Sequence, residues 1–451
     1  MKEYITAVLL LFILIFSVAV INSNTGGKTS PVLTFLLSPA TSSTSGYLKT
    51  ASDAPATRKW RKDGKTGRWE KMEEGLARSR ASIRRAILER NCTSRKRQSY
   101  IPSGSIYHNP YAFHQSYIEM EKRLKIWIYK EGEPPMFHEG PCGNIYSIEG
   151  QFISEMDENG PFVTRNPEEA LVYFLPFSVV RMVGFVYEKG SLDRQSLPDI
   201  TSDYIQVISA KYPYWNRTHG ADHFMLSCHD WAPYATIGRP VFKNLIRVLC
   251  NANSSEGFFP TRDAPLPEFN MGHKLPVPVV DPSPLSAKTM LAFFAGGNHG
   301  VVRKILFKEW KDKDPQVQIF EYLPKGLDYG EFLRKTKYCL CPSGYEVASP
   351  RITESILAGC IPVPISDSYV LPFSDVLDWT QFSVPIPVSR IPEIKEILRG
   401  IPESTYLKLQ ANVLKVQGHF AVNRPAKRFD VMHMLLHSIW LRRLNLGLED
   451  V

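Results

Sequence analysis

Hydrophobic and polar residues alternate with two different periods along the second half of the chain. Short runs rich in β-branched and aromatic residues predict strands, and stretches with apolar residues three or four positions apart predict amphipathic helices. The strands are LAFFAGG, VQIFEYL and KYCLC, and the helices between them are HGVVRKILFKEWKDKD and DYGEFLRKT. Strands alternating with helices predict right-handed βαβ units around a parallel sheet. The fold class is therefore α/β.

The first half of the compact region shows a similar but less regular pattern. Strands are predicted in LKIWIYK, LVYFLPFSVV and KNLIRVLCN, before the proline-rich connector LPVPVVDPSPL. The segment AKRFDVMHMLLHSIWLRRLNL predicts one long C-terminal helix. With 451 residues, two or three domains are expected. We place one domain at 106–274, a second at 275–415 and a helical segment at 416–451.

The amino terminus carries an uncharged apolar run of 18 residues, Tyr4–Ile21. This length is close to the roughly 20 residues that span a bilayer, so it predicts an uncleaved signal-anchor after a cytosolic tail at 1–3. A cleaved signal peptide is the alternative, with Ser17 and Ala19 as small residues at a cleavage site. The anchor would hold a lumenal stem, 22–105, and the domains beyond it.

The stem begins with a tether rich in Ser, Thr, Gly and Pro and continues as a predicted basic helix. Its apolar stripe consists of Trp69, Met72, Leu76, Ile83 and Ile87. Two interpretations are open. The stripe forms a weak coiled coil that pairs two stems into a homo- or hetero-oligomer, or the helix is a solvated spacer. The spacer is favoured because Ser79 interrupts the stripe.

The net charge of +9 is concentrated in the stem. Residues 58–97 hold 15 Lys and Arg against 5 Asp and Glu, and the rest of the chain holds 39 against 40. A nucleic-acid-binding protein is expected to carry its positive charge on the folded body. The composition therefore argues against nucleic acid as a partner.

Three sequons agree with a lumenal body, at Asn91, Asn216 and Asn253. Chance gives a few such triplets in a chain of this length. The seven cysteines allow up to three disulfides and one thiol in an oxidising lumen, with pairing undetermined. No cysteine or histidine spacing is typical of zinc, and Cys339 and Cys341 are expected along one strand.

The stretch SGYEVASPRITESILAGCIPVPISD (343–367) follows the strand KYCLC. Ser349 and Pro350 predict an N-cap and a first helical residue, and Gly359 predicts the helix end. The prolines of IPVPI predict a strand that is short or lies at the edge of the sheet. Arg351, in the first helical turn, is suited to bind a phosphate, and Glu354 to bind ribose hydroxyls. A surface ion pair between the two is the alternative.

A second loop after a strand strengthens the nucleotide interpretation. Gly296 and Gly297 follow LAFFA, and Arg303 begins the next helix. Glycines let the backbone approach a ligand, and helix N-termini favour anions. Two such strand–loop–helix units in one domain indicate a nucleotide diphosphate.

The sequence resembles the exostosin family, glycosyltransferase family 47, particularly its plant members. The resemblance is carried, in order, by FHEGPCGNIYSIEGQF, NPEEALVYFLPFSVV, YPYWNRTHGADHFMLSCHDWAP, LAFFAGGNHGVVRKIL and YCLCPSGYEVASPRITESILAGCIPVPISD, across roughly two-thirds of the chain. It implies a GT-B fold, with two Rossmann-like domains facing an interdomain cleft and the donor in the second. It also implies inversion at the anomeric carbon without a bound metal or cofactor, and a single-pass type II Golgi membrane protein with lumenal domains.

An inverting transfer needs a base for the acceptor hydroxyl. WNRTHGADHFMLSCHDW supplies Asp222 and His223 as leading candidates, followed by His229 and Asp230. A helix cap or buried hydrogen bonding is the structural alternative for such pairs. The spacing of Glu346 and Glu354 is similar to that in retaining enzymes of this fold, whereas the family resemblance favours inversion.

The expected function is transfer of a sugar from a nucleotide diphosphate sugar, with UDP preferred, to a cell-wall polysaccharide or glycan. Arg303 and Arg351 would bind the diphosphate, and Ser343, Gly344 and Tyr345 would line the donor pocket with Glu346. A non-catalytic scaffold partner of an active glycosyltransferase is the alternative function. The donor sugar and the acceptor are not readable from the motifs.

Overall fold

The computed structural model describes residues 64–92, 100–157, 160–188, 190–191, 193–271 and 287–446. The predicted cytosolic tail, anchor, flexible tether and proline-rich connector lie outside these ranges. Within the described residues, no helix combines the length and apolarity needed to cross a bilayer.

Two separate parallel sheets form the body of the protein. The first has five strands in sequential order, β1-β2-β3-β4-β5. Its strands are β1 (Ile126–Ile128), β2 (Val172–Phe174), β3 (His223–Ser227), β4 (Ile246–Leu249) and β5 (Ala264–Pro265). Before and around it lie α1 (Gly64–Glu89), α2 (Pro110–Arg123), α3 (Ser147–Asp157), α4 (Val179–Val186), α5 (Ser196–Lys211) and α6 (Tyr214–Thr218).

The second sheet has four strands in the order β7-β6-β8-β9. They are β6 (Met290–Ala295), β7 (Val317–Phe320), β8 (Thr336–Pro342) and β9 (Ile361–Ile365). The helices are α7 (Gly300–Trp310), α8 (Tyr329–Lys335), α9 (Arg351–Leu357), α10 (Ile394–Arg399), α11 (Glu403–Val416) and α12 (Val431–Asn445). The alternating pattern and the edge position of β9 are confirmed. Two parallel α/β sheets are consistent with the expected Rossmann-like domains.

The order of the second sheet creates a crevice between β6 and β8. The chain leaves β6 towards β7 on one side, and leaves β8 towards β9 on the other. Ligands of open α/β sheets bind at such a switch point, outside the carboxyl ends of the strands. The loops at Gly296 and Ser343 follow those two carboxyl ends.

Helix α1 is not a solvated spacer, because its apolar stripe is covered by the body. Leu76 and Ile83 are buried in the main core, and the helix packs against α2. Ser79, the residue expected to interrupt the stripe, is fully buried, and its hydroxyl donates a 3.1 Å hydrogen bond to Glu119. The Trp69 ring lies under the guanidinium of Arg217 at 4.1 Å. The stripe therefore meets the protein's own surface rather than a second stem.

The C-terminal helix α12 returns to the first sheet. It contacts β4, β5 and α2. Arg442 is buried, pairs with Asp375, and donates hydrogen bonds to the carbonyl of Asp263. Arg443 pairs with Glu73 of α1. Helix α12 is thus joined to α1 by one charged pair and to Asp375, in the second half of the chain, by another, and each buried arginine is compensated by its partner.

Each of the two sheet regions contains one disulfide, which joins neighbouring segments of the chain. Cys228–Cys250 lies just beyond the ends of β3 and β4, and Cys339–Cys360 connects β8 with the segment entering β9. Cys92, Cys142 and Cys341 are not disulfide-bonded. The expectation that Cys339 and Cys341 share a strand is confirmed.

The three sequon asparagines differ in exposure. Asn91 and Asn216 are exposed. Asn253 is only 7% exposed, and its side-chain oxygen accepts hydrogen bonds from the backbone and hydroxyl of Ser255. An asparagine used in this way as a cap is a poor glycan acceptor, so Asn91 and Asn216 are the better candidates.

Candidate functional site

A cavity of about 720 Å³ opens at the switch point of the second sheet. The second domain contributes Gly296, Gly297, Tyr329, Arg351 and Glu354 to its lining, and the first domain contributes Ile145 and Asn270. The volume is in the range of sites for small-molecule ligands. The site thus combines both predicted glycine- and arginine-containing units with residues from the facing domain.

Arg351 crosses the end of β6. Its Nε and Nη2 donate hydrogen bonds of 2.9 and 2.8 Å to the carbonyl of Ala295, the last residue of that strand. A Cβ at position 296 would overlap the guanidinium, so Gly296 is what allows the arginine to lie there. Arg351 is therefore held in a fixed position at the mouth of the cavity rather than in a surface ion pair with Glu354.

Arg303 lies beside Arg351. Both guanidinium groups lie over the ring of Phe294, with centroid distances of 5.5 and 5.1 Å. Arg303 is 6% exposed and donates a 3.1 Å hydrogen bond to the carbonyl of Gly297, while its Nε has no hydrogen-bond partner among the described residues. Burial, followed by repulsion from Arg351, lowers the pKa of Arg303 to about 10. Two close cations with an unpaired buried donor favour an anionic ligand.

Glu354 accepts a 2.9 Å hydrogen bond from the hydroxyl of Tyr329 at the start of α8. Burial raises the pKa of Tyr329 well above its usual range, and the neighbouring Glu354 carboxylate raises it further. The tyrosine therefore stays protonated as a donor and orients the carboxylate within the cavity.

The loop after β8 lies against the start of α7. Gly300 has φ of +75°, and a Cβ there would overlap the carbonyl of Gly344. Ser343 is buried and its backbone N–H bonds to Ile365, whereas Tyr345 is 76% exposed, with its ring 5.1 Å from that of His299. Gly344 contacts Arg303. The two predicted loops therefore form one continuous surface.

The predicted N-cap at Ser349 is wrong. Helix α9 begins at Arg351 with Pro350 as the capping residue, and the buried Ser349 hydroxyl has no hydrogen-bond partner within the described ranges. Pro350 has helical backbone angles, so the turn starts without a side-chain cap. Gly359, with φ of +67°, ends the helix as predicted.

The first domain brings carboxylates towards the arginines. Asp230 lies three residues beyond β3, and Glu268 lies three residues beyond β5. Burial raises the pKa of Glu268 well above its usual value and Asp230 raises it further, while Arg351 and Arg303 oppose the shift. Burial also raises the pKa of Asp230, despite a hydrogen bond with Tyr146. Both domains therefore contribute charge to one electrostatic site.

Glu346 links the two domains directly. Its carboxylate accepts a 2.9 Å hydrogen bond from the amide of Asn251, which also donates to the carbonyl of Asp230. Burial, with repulsion from Glu256 and then Asp230, raises the pKa of Glu346 to about 7. Glu346 and Glu354 thus have different neighbours: Glu346 faces the first domain, and Glu354 lies in the 720 Å³ cavity.

His229, next to Asp230, accepts a hydrogen bond at one of its ring nitrogens. Its Nδ1 accepts a 2.9 Å hydrogen bond from the backbone N–H of Trp231. Burial, with the charge of Arg194, lowers the pKa of His229 to about 4, so the ring is neutral at pH 7. A neutral imidazole that accepts at Nδ1 carries its proton on Nε2. His229 is therefore a donor at its remaining nitrogen.

Asp222 and His223 lie at the opposite, amino end of β3. Asp222 is 1% exposed and accepts hydrogen bonds from Thr218, Arg217 and His223. The other nitrogen of His223 bonds to the hydroxyl of Tyr129 at 2.8 Å. The structure does not bring this pair to the cleft, because a parallel strand presents its ligand-facing loop only at its carboxyl end. Its contacts are those of a buried structural network.

Sequence reasoning did not include several residues of the cleft. Glu268, Tyr146, Asn251 and Tyr329 come from four separate segments and have no local motif. One weak sequence signal existed for Asn251, because it is a polar residue at the end of the predicted strand KNLIRVLCN and follows β4. In the described part of the chain, no group of three or more His, Cys, Asp and Glu side chains has an arrangement suited to hold a metal ion.

Comparisons with known proteins agree with this geometry. Residues 120–401 match the family described as Exostosin GT47 domain. A probable glycosyltransferase of Arabidopsis thaliana is 52% identical over 384 residues, covering 85% of this chain and 73% of that protein.

More distant relatives have more specific names. A probable glucuronosyltransferase of Oryza sativa subsp. japonica is 27% identical over 350 residues, covering 70% of this chain and 81% of that protein. A probable beta-1,4-xylosyltransferase of Arabidopsis thaliana is 27% identical over 350 residues, covering 70% and 82%. The family match spans more than half of the sequence, and it includes both loops of the cavity. The chain therefore belongs to the exostosin family of glycosyltransferases, GT47.

Proposed function

We propose that this protein transfers a sugar from a nucleotide diphosphate sugar, UDP-linked, to a cell-wall polysaccharide or glycan, with inversion at the anomeric carbon. The supporting observation is the pair of guanidinium groups, Arg303 and Arg351, over one buried ring at the switch point. An anion is needed to compensate these two cations. A diphosphate supplies it, and its negative charge increases as the sugar leaves.

We place the donor in the cavity in the following orientation. The diphosphate lies at Arg303 and Arg351, beside the Gly296–Gly297 turn. Glu354, oriented by Tyr329, accepts hydrogen bonds from the ribose hydroxyls. The lining of the cavity does not include Ser343 or Tyr345, and the sugar extends towards the first domain.

Inversion determines which side must supply the base. The acceptor hydroxyl oxygen bonds to the anomeric carbon from the face opposite the departing diphosphate. Because the diphosphate is held by the second domain, the base comes from the facing first domain. Asp230 is the half-buried carboxylate there, whereas Glu268 is 4% exposed. Asp230 takes the hydroxyl proton while the bond to the diphosphate breaks, and a raised pKa suits a group that accepts a proton.

The neighbours of Asp230 have supporting roles. Neutral His229 donates from Nε2 to the acceptor glycan, and the bond from Asn251 to Glu346 holds the two domains at the spacing that the transfer needs. Asp222 and His223 act only by supporting β3 from its far end.

We also propose a Golgi location, with Tyr4–Ile21 as a type II anchor and the described domains in the lumen. The exposed sequons at Asn91 and Asn216 and the two disulfides support an oxidising compartment. Wall polysaccharides are the proposed acceptors because relatives bear xylosyltransferase and glucuronosyltransferase names.

The direct test is a donor screen with the purified protein. UDP release is measured for UDP-linked galactose, xylose, arabinose and glucuronic acid against a panel of wall oligosaccharides. Arg351→Ala is expected to abolish turnover, while Arg390→Ala, which alters an exposed arginine of the same domain, leaves it unchanged. NMR of the product must show a β-linkage from a UDP-α-sugar donor; an α-linkage contradicts inversion. Failure to bind UDP would instead favour the non-catalytic scaffold.

A further inference from the structure

A second cavity, of about 360 Å³, lies at the amino end of the second sheet. It is lined by residues just before or at the start of β6, β7 and β8, including Lys288, Gln316 and Lys337, and by the ends of α10 and α11. Strand β6 has six residues, so at about 3.3 Å per residue this cavity is roughly 17 Å from the donor site. It belongs to neither the donor cavity nor the interdomain cleft.

The cavity is positively charged. Lys288, Lys337 and Arg399 line it, and Glu403 is the acidic residue among the lining positions. Glu403 is exposed, so its carboxylate is solvated at the rim. The three basic side chains outnumber this one carboxylate, and they converge from three different segments of the chain.

Lys288 is the deepest of these cations. It is 6% exposed, and its ammonium donates a 3.4 Å hydrogen bond to the carbonyl of Gly359. No carboxylate of the described residues lies within ion-pair distance of it. Burial lowers its pKa to about 8, which is the expected effect of a cation taken out of water without a counter-charge. A buried ammonium that lines a cavity without a counter-charge favours an anion there.

Two further groups complete the lining. Tyr406 is 3% exposed, and its hydroxyl has no hydrogen-bond partner among the residues that the structure describes. The Lys337 ammonium lies 5.4 Å from the centroid of the Tyr406 ring. Helix α11, 14 residues long, begins at this cavity with Pro402 as its N-cap, and no side chain of the described chain caps it. Its first backbone N–H groups and its dipole favour negative charge.

We propose that this cavity binds an oxyanion, the phosphate or carboxylate group of a small molecule, between Lys288, Lys337 and Arg399. Lys337 and Arg399 bind the anion at the entrance of the cavity, and the buried Lys288 neutralises it from the interior. The volume leaves room for a sugar-sized group attached to the anion. This site does not depend on the proposed donor chemistry.

The experiment is a calorimetric titration of the full-length protein in detergent with inorganic phosphate, at constant ionic strength, in the presence of excess UDP. The UDP occupies the donor site if the proposed function is correct; if it does not bind, the comparison between variants still holds. A second arm uses galacturonate in place of phosphate to distinguish the two sources of the oxyanion.

Two matched double variants carry the test. Lys337→Gln with Arg399→Gln removes two cavity cations, and Lys304→Gln with Lys308→Gln removes two exposed cations from α7 of the same domain. The cavity variant is expected to raise the Kd of the bound oxyanion at least tenfold, and the control less than twofold.

The inference is overturned if both double variants bind equally well, or if neither phosphate nor galacturonate binds the wild type at millimolar concentration. Should the cavity double variant fail to fold, Lys337→Gln alone must still raise the Kd at least threefold over Lys304→Gln alone. Equal affinities of these two single variants would also overturn it.

Discussion

Strand β3 has a histidine–aspartate pair at each end, and the pKa of the aspartate shifts in opposite directions in the two pairs. At the amino end, burial acts to raise the pKa of Asp222, but the hydrogen bond and charge of His223 and the charge of Arg217 outweigh it and lower the pKa to about 2. Beyond the carboxyl end, burial raises the pKa of Asp230. A carboxylate saturated with donors is fixed as an anion, whereas one with few donors can accept a proton. Residue type alone therefore does not identify a base.

The largest expected effect comes from Asp230→Asn. Removing the base should lower kcat by about 10²- to 10⁴-fold, with an unchanged Tm, because an amide cannot accept the acceptor's proton. UDP release with the best donor measures the rate, and circular dichroism measures the Tm. Glu346→Gln is the comparison variant: if it loses more activity than Asp230→Asn does, the proton goes to Glu346.

Asp222→Asn should lower the stability of the protein and leave the rate of the reaction nearly unchanged. It leaves the partly exposed Arg217 without a charged partner, which should cost about 2 kcal/mol of the free energy of unfolding, less than the loss of a fully buried pair. Urea denaturation measures this cost. Activity per folded molecule should remain within about threefold of wild type, and Asp199→Asn, at an exposed ion pair, should leave the urea midpoint unchanged. A loss of kcat at full stability would place Asp222 in the chemistry.

A somewhat smaller effect is expected on the stability of the protein at acidic pH, where Asp222 becomes protonated. The folded pKa of Asp222 lies below its unfolded value of 3.8, so its stabilising contribution is present above about pH 4 and is lost as the pH falls towards 2. The shift corresponds to about 2 kcal/mol. The difference in unfolding free energy between wild type and Asp222→Asn, from urea titrations at pH 6 to pH 3, should begin to shrink below pH 4. A difference independent of pH would contradict the ionised network.

The smallest effect is expected for His229→Gln. Glutamine retains a side-chain donor, so only the hydrogen bond from Trp231 is altered, which is worth about 1 kcal/mol of stability. The rate should fall less than tenfold, and the pH profile of kcat should keep its shape. If the rate instead falls a hundredfold and the acidic limb of the profile disappears, His229 rather than Asp230 takes the proton.

The fold of the second domain was predictable because its signals are local. The strands there are short runs rich in apolar residues, and the prolines of β9 are tolerated only at an edge. Strand β3 was not predicted, because HFMLS begins with a histidine inside a polar stretch. Missing this strand also hid the fact that Asp222 and Asp230 lie at its opposite ends.

The site was predictable only in part. The glycine and arginine loops of the second domain were visible because each occupies one continuous segment. The carboxylates of the first domain depend on tertiary contacts: Asp230 raises the pKa of Glu268 across 38 positions of sequence, and Asn251 donates a hydrogen bond to Glu346 across the cleft. The burial of Ser79 was also invisible, because a serine in an apolar stripe looks like an interruption until Glu119 is seen opposite it.

The disulfide between Cys228 and Cys250 lies directly next to cleft residues in two loops of the first domain. Cys228 precedes His229 and Asp230, and Cys250 precedes Asn251, so a single covalent bond ties together the two loops that face the donor domain. Reduction would let these loops separate while the core of the sheet remained packed. We therefore expect reduction of this disulfide to lower activity before it lowers stability.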